Sequence, residues 1–179
     1  MKKITFILML FVGFLSFAQP ANDDCANAIT ITGDGIVSGT TTGAATESVP
    51  FCGASSTSPG VWYKFTDISG TGSTVDLDLC NGIATFDSKM SVYTGACGAF
   101  VCEAGNDDSC GLQSAVSFTT DGSSTYYVLV HGFGGGNGPF DLTVSGFPVA
   151  PLPGQSSFTT FCSTETPIPF DPPVAISTP

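Results

Sequence analysis

Positive charge is almost missing from this chain. Its 179 residues hold four lysines, no arginine and a single histidine, against fifteen aspartates and glutamates. Two of the lysines, Lys2 and Lys3, stand at the very start. A nucleic-acid binder needs a basic footprint to displace counterions from phosphates, so that class is excluded. The same surface would repel anionic lipid headgroups. With one histidine, mixed Cys/His zinc coordination of the usual kind is poorly supported. Good helix formers never cluster, and no apolar run after the first twenty residues escapes interruption by glycine, threonine or aspartate.

The exception to that last absence is the opening segment MKKITFILMLFVGFLSFAQP. A basic start, the apolar stretch Ile4–Phe17 and the small residues Ser16 and Ala18 read as a signal peptide over residues 1–18. The stretch is shorter than the roughly 20 residues a membrane span needs. The expected mature protein is secreted, with no membrane insertion after cleavage. It keeps Lys64 and Lys89 against all fifteen acids, a formal charge of −13. Seven cysteines, at 25, 52, 80, 97, 102, 110 and 162, then read as a disulfide framework. Six fall within residues 25–110; Cys162 is the odd one.

Short runs of Val, Ile, Thr, Tyr and Phe recur between Gly, Asn, Asp and Ser clusters. They predict nine strands: Ala28–Thr32, Ile36–Thr42, Val61–Thr66, Thr74–Leu79, Lys89–Thr94, Phe100–Glu103, Ala115–Thr119, Thr125–His131 and Phe140–Ser145. In the fourth, Val75, Leu77 and Leu79 face one way and Asp76 and Asp78 the other, the alternation of a half-buried strand. The fold class is all-β, an antiparallel β-sandwich over residues 19–146. Residues 147–179 hold most of the twelve prolines and read as a linker or the start of a truncated further unit.

The stretch YYVLVHGFGGG, Tyr126–Gly136, imitates the oxyanion strand of an α/β-hydrolase. No serine has glycine at both −2 and +2, helices are absent from the pattern, and His131 cannot serve both as oxyanion-loop residue and as general base. Strand end and glycine turn account for it. Asp76 to Asp87 imitates an EF-hand loop, but position 5 is Cys80 and position 6 is Asn81 where glycine is required. Trp62, in the apolar strand Val61–Phe65, is assigned to the core.

Two acidic tripeptides precede cysteines: Asn22-Asp23-Asp24 and Asn106-Asp107-Asp108. Oxygen side chains on a disulfide-pinned loop suit calcium, and Asp87 on a neighbouring loop adds a carboxylate. The expected metal site is therefore Asp87, Asn106, Asp107 and Asp108. Paired acids also admit a glycoside hydrolase using two of Asp76, Asp78, Asp87, Asp107 and Asp108.

Taken in order, NDDCANAITI, the Cys52-Gly53 pair, GVWYKFT, ATFDSKMSVYTGACG, GNDDSCG and TYYVLVHGFGGGNGPFDLTV resemble the bacterial pre-peptidase C-terminal (PPC-like) domain, in its cysteine-bearing form. The resemblance spans about residues 22–146. It implies a jelly-roll-like sandwich without catalytic residues, serving secreted hydrolases or surface proteins, with calcium used by collagen-binding relatives. It also implies the pairs Cys25–Cys52, Cys80–Cys110 and Cys97–Cys102. The expected function is a non-catalytic extracellular module for attachment to a glycan or protein polymer, or for stabilising neighbouring domains. The rivals are the small hydrolase and a structural spacer in an adhesin.

Overall fold

A computed structural model describes residues 18–150 of the chain. The expected leader, Cys162 and nearly all of the proline-rich tail lie outside the described residues. Nine strands form in chain order: β1 (Ile29–Thr30), β2 (Gly35–Thr40), β3 (Gly60–Thr66), β4 (Thr74–Asp78), β5 (Ser88–Ala96), β6 (Ala99–Asn106), β7 (Ala115–Thr119), β8 (Thr125–Gly132) and β9 (Pro139–Ser145). Among the described residues the only helical turn is the 3₁₀ segment Cys25–Asn27. Every predicted strand is present, though the first shrinks to two residues.

Two sheets pack face to face, one ordered β1-β3-β8-β5-β6 and the other β2-β9-β4-β7. All pairings are antiparallel except β1 with β3, where Ile29 and Thr30 run beside Tyr63 and Lys64. Alternation sends Val61, Tyr63 and Phe65 of β3, Val128 and Val130 of β8, and Met90 and Val92 of β5 inward. They meet Val75 and Leu77 of β4 and Phe140, Leu142 and Val144 of β9. Burying that apolar surface is the main force holding the two layers together. On β4, Asp76 is exposed between buried Val75 and Leu77, the alternation read from the sequence.

The outer face of the five-stranded sheet departs from that simple scheme. Trp62, Tyr93 and Leu129 point away from the main core, yet all three are fully buried. They pack with Ala28 and Cys52 beneath two irregular segments, residues 20–28 and 44–59. Those segments hold to the sheet and to each other through polar contacts. Asn22 donates from Nδ2 to the Trp62 carbonyl at 2.9 Å, and the Ala45 amide donates to Asp23 Oδ1 at 2.7 Å. The Tyr93 hydroxyl donates to the Pro50 carbonyl at 2.8 Å, and Ser91 Oγ to the Cys52 carbonyl at 3.0 Å. β3 is consequently buried on both faces, which explains why Val61–Phe65 reads as a continuous apolar run.

Disulfides staple this cover in place. Cys25 bonds Cys97, Cys52 bonds Cys102, and Cys80 bonds Cys110, with Cα separations of 5.8, 5.2 and 6.0 Å. Of the three pairs that the resemblance implied, the structure contains Cys80–Cys110; Cys25–Cys52 and Cys97–Cys102 are corrected. The reason is register. β5 and β6 form a hairpin in which Ala96 faces Ala99, so Cys97 is at its tip, while Cys102 faces Tyr93. Four residues of strand separate those positions, roughly 13 Å, beyond the ~7 Å that a disulfide tolerates between Cα atoms. Each hairpin cysteine instead captures one covering segment. The cover also touches backbone to backbone: a Cβ on Gly105 of β6 would run into the Cys52 carbonyl.

Candidate functional site

Three loops converge at one end of the sandwich: the β4–β5 loop ending in Asp87, the β6–β7 loop from Asp107, and the β8–β9 loop from Phe133. Backbone bonds fix their mutual placement. The Phe133 amide donates to the Asp87 carbonyl at 2.9 Å, and the Ser88 amide to the Leu112 carbonyl at 2.8 Å. Ser114 donates its amide to Ser88 Oγ at 3.1 Å. Cys80–Cys110 ties the first two loops covalently.

The result is a carboxylate cluster. Asp87, Asp107 and Asp108 each offer an oxygen, all within 4.8 Å of one another. Burial, then the charges of Asp108 and Asp107, pushes the Asp87 carboxyl above the usual carboxylate range, with Lys89 opposing. Asp87 Oδ1 is buried and has no hydrogen-bond partner. An orphaned carboxylate oxygen facing like charges suits a hard divalent cation, which takes six to eight oxygens in flexible geometry. The donor set therefore fits calcium in chemistry and charge. Asn106, the fourth expected ligand, has its Oδ1 engaged by the Ala115 amide at 3.4 Å and serves the start of β7. Asp76 and Asp78 stand on β4, outside this cluster. The other acidic tripeptide is structural here: Asn22 and Asp23 are buried and hold the cover on the sheet.

Two more side chains stand beside the carboxylates, Lys89 and His131. Lys89 is only 2% exposed, and its Nζ lies 3.3 Å from Asp107 Oδ2 and 4.5 Å from the centroid of Phe133. On its other side β8 pairs His131 with Lys89. His131 is fully buried; its Nε2 lies 3.4 Å from Ser91 Oγ and its Nδ1 has no partner. Burial, reinforced by Lys89, lowers the imidazole from 6.5 to about 4. One signal could have exposed Lys89: a lysine beside Met90 near the start of the strand-forming run SKMSVYT.

A pH prediction follows from that imidazole. In the unfolded chain it takes up a proton near 6.5, while the folded form resists down to about 4. Falling pH therefore charges the unfolded state first. The stabilisation is complete above 6.5 and is lost as pH falls towards 4, on the order of 3 kcal/mol. Because His131 is the single histidine, the imidazole proton resonances report it alone. They should stay at their neutral positions from pH 7 to pH 5; a midpoint near 6.5 would show the ring to be exposed.

No family model matches the chain, and no curated protein does. Among solved structures it is similar to the pre-peptidase C-terminal domain of a collagenase from Bacillus anthracis, with 17% identity over 65% of this chain and 93% of that one, at a TM-score of 0.40.

Proposed function

We propose that this chain is an extracellular, non-catalytic module that attaches a larger secreted protein to a glycan or protein polymer, or stabilises it, and that calcium orders its loop end. The observation that carries the reading is the gathering of Asp87, Asp107 and Asp108 from two loops joined by the Cys80–Cys110 bridge, with Asp87 Oδ1 buried and unpartnered. Exposed Leu112 and Phe133 are joined by backbone bonds to the Asp87–Ser88 turn and give the acidic end an apolar rim for contact. Three disulfides suit an oxidising compartment outside the cytosol.

The chemistry near the histidine supports a non-catalytic assignment. Ser91 and His131 approach each other, but both are sealed from solvent, and Ser91 already donates to the Cys52 carbonyl. Among the described residues no hydrogen-bond partner orients the imidazole through Nδ1, which a serine–histidine nucleophile requires.

Calcium that binds only the folded state must raise stability, by about 2.7 kcal/mol at a hundred times its dissociation constant. The melting temperature in calcium should exceed that in chelator by several degrees, and Asp87→Asn or Asp108→Asn should remove most of the difference. Identical melting in both buffers would eliminate the cation. For attachment, the secreted protein is expected to be retained on insoluble collagen or glycan without releasing product. Released sugars or peptides would end the non-catalytic reading, and absence of retention on every polymer would favour the spacer.

A further inference from the structure

Lys89 is an unusual place to keep a charge. It is the second residue of β5, paired with His131 of β8 on one side and one step beyond the Met90–Asn106 pair with β6 on the other. Met90 pairs with Asn106, so the next position across the hairpin brings Asp107 beside Lys89. Their side chains form the one ion pair among the described residues. The ammonium end is walled by the Phe133 ring, and the side chain is 2% exposed. Burying the ammonium costs several kcal/mol, which one carboxylate at 3.3 Å, itself 39% exposed, repays only in part.

We propose that Lys89 and Asp107 condense into an intramolecular amide, a covalent cross-link between β5 and the loop that follows β6. One proton passes from the Lys89 ammonium to the Asp107 carboxylate, and the neutral amine attacks Cγ. The new N–C bond forms as a C–O bond breaks. The departing oxygen leaves with two of the three original ammonium protons, as water. Charges +1 and −1 become a neutral amide, and no oxidant, reductant or activating group is needed.

Three features of the site favour the reaction. The partners are held together at 3.3 Å, so the step is intramolecular and its orientational cost is met by folding. The lysine side of the pair is closed to solvent, which works against the return of water. The product removes the buried charge that makes the starting pair expensive. The cross-link also leaves the calcium reading intact, because an amide carbonyl is an oxygen ligand like the carboxylate it replaces.

The test is mass, which requires neither calcium nor a polymer. The full secreted chain, with its N-terminus determined and its disulfides reduced, is expected to be one water lighter than its sequence. Trypsin should fail to cut after Lys89, and digestion should give a branched peptide joining the Lys89 segment to the Asp107 segment. Asp107→Ala should restore both the mass and the cleavage. If that variant does not fold, Asp107→Asn should give the same branched peptide, with loss of ammonia in place of water. A chain of unaltered mass, cut normally at Lys89 although its three disulfides have formed, overturns the proposal and leaves an ion pair. A water lost without the branched peptide overturns it equally.

Discussion

Truncating Trp62 to alanine should cost about 3–5 kcal/mol of folding stability, the range seen when a fully buried aromatic is removed from a packed site. The size of the loss tests whether the cover over the five-stranded sheet is a true second core. Trp62 is fully buried on the side facing away from the sandwich interior. Its ring stacks on Phe100 with centroids 4.9 Å apart and tilts against Tyr93 at 6.1 Å; Tyr93 and Phe100 are themselves 5.1 Å apart. The covering segments cannot sink into the vacated space, since Cys52 and Gly53 already rest on the backbone of Gly105. Denaturant unfolding followed by far-ultraviolet circular dichroism measures the effect. A loss within about 0.5 kcal/mol, the cost of an ordinary surface change, would mean that the cover is loosely draped and that Trp62 contributes little.

The second large effect is expected from replacing Cys52 and Cys102 together by alanine. That bridge closes a sequence separation of 50 residues, which the chain-entropy relation converts to about 4 kcal/mol. The structural outcome should be local before it is global. Residues 44–59 lose their only covalent hold on the sheet, while Cys25–Cys97 still anchors residues 20–28. Trp62 is the chain's one tryptophan, so its emission should move to longer wavelength as water reaches the ring, and the unfolding midpoint should fall. An unchanged midpoint with unchanged emission would show that the polar contacts of Tyr93 with Pro50 and Ser91 with Cys52 suffice to hold the segment.

These contacts also mark where sequence reasoning works and where it stops. Strands were legible because their signal is local: Val75, Leu77, Asp76 and Asp78 declare two faces within five residues, and β-branched residues do the same elsewhere. The burial of Trp62 was legible from its apolar neighbours, although the segments that bury it carry no strand or helix pattern and read as loop. The meeting of Asp87 with Asp107 and Asp108 was anticipated from oxygen-rich loops. Asn106 also accepts a bond from the Ala115 amide, a contact invisible along the chain. Cysteine pairing failed at the hairpin, where the partner of Cys102 depends on a register that puts it opposite Tyr93. The burial of Lys89 and the contacts of His131, itself read correctly as a strand end, escaped for the same reason. Their neighbourhood exists only once β6, β5 and β8 are laid side by side.

The order in which the bridges close has a mechanical meaning. Cysteines 25, 52 and 80 pair with 97, 102 and 110 respectively, so every bridge spans one end of each of the others. Tension applied through the two ends of the chain enters at Cys25, crosses directly to Cys97, and needs only the thirteen residues from 97 to 110 to reach the last staple. Fully stretched, that path yields about 45 Å, where an unbridged chain from 25 to 110 would pay out 85 residues. Strands β7, β8 and β9 follow Cys110 and lie outside every loop. Under load they are the part that unspools freely, while the stapled half pays out only its short thirteen-residue path.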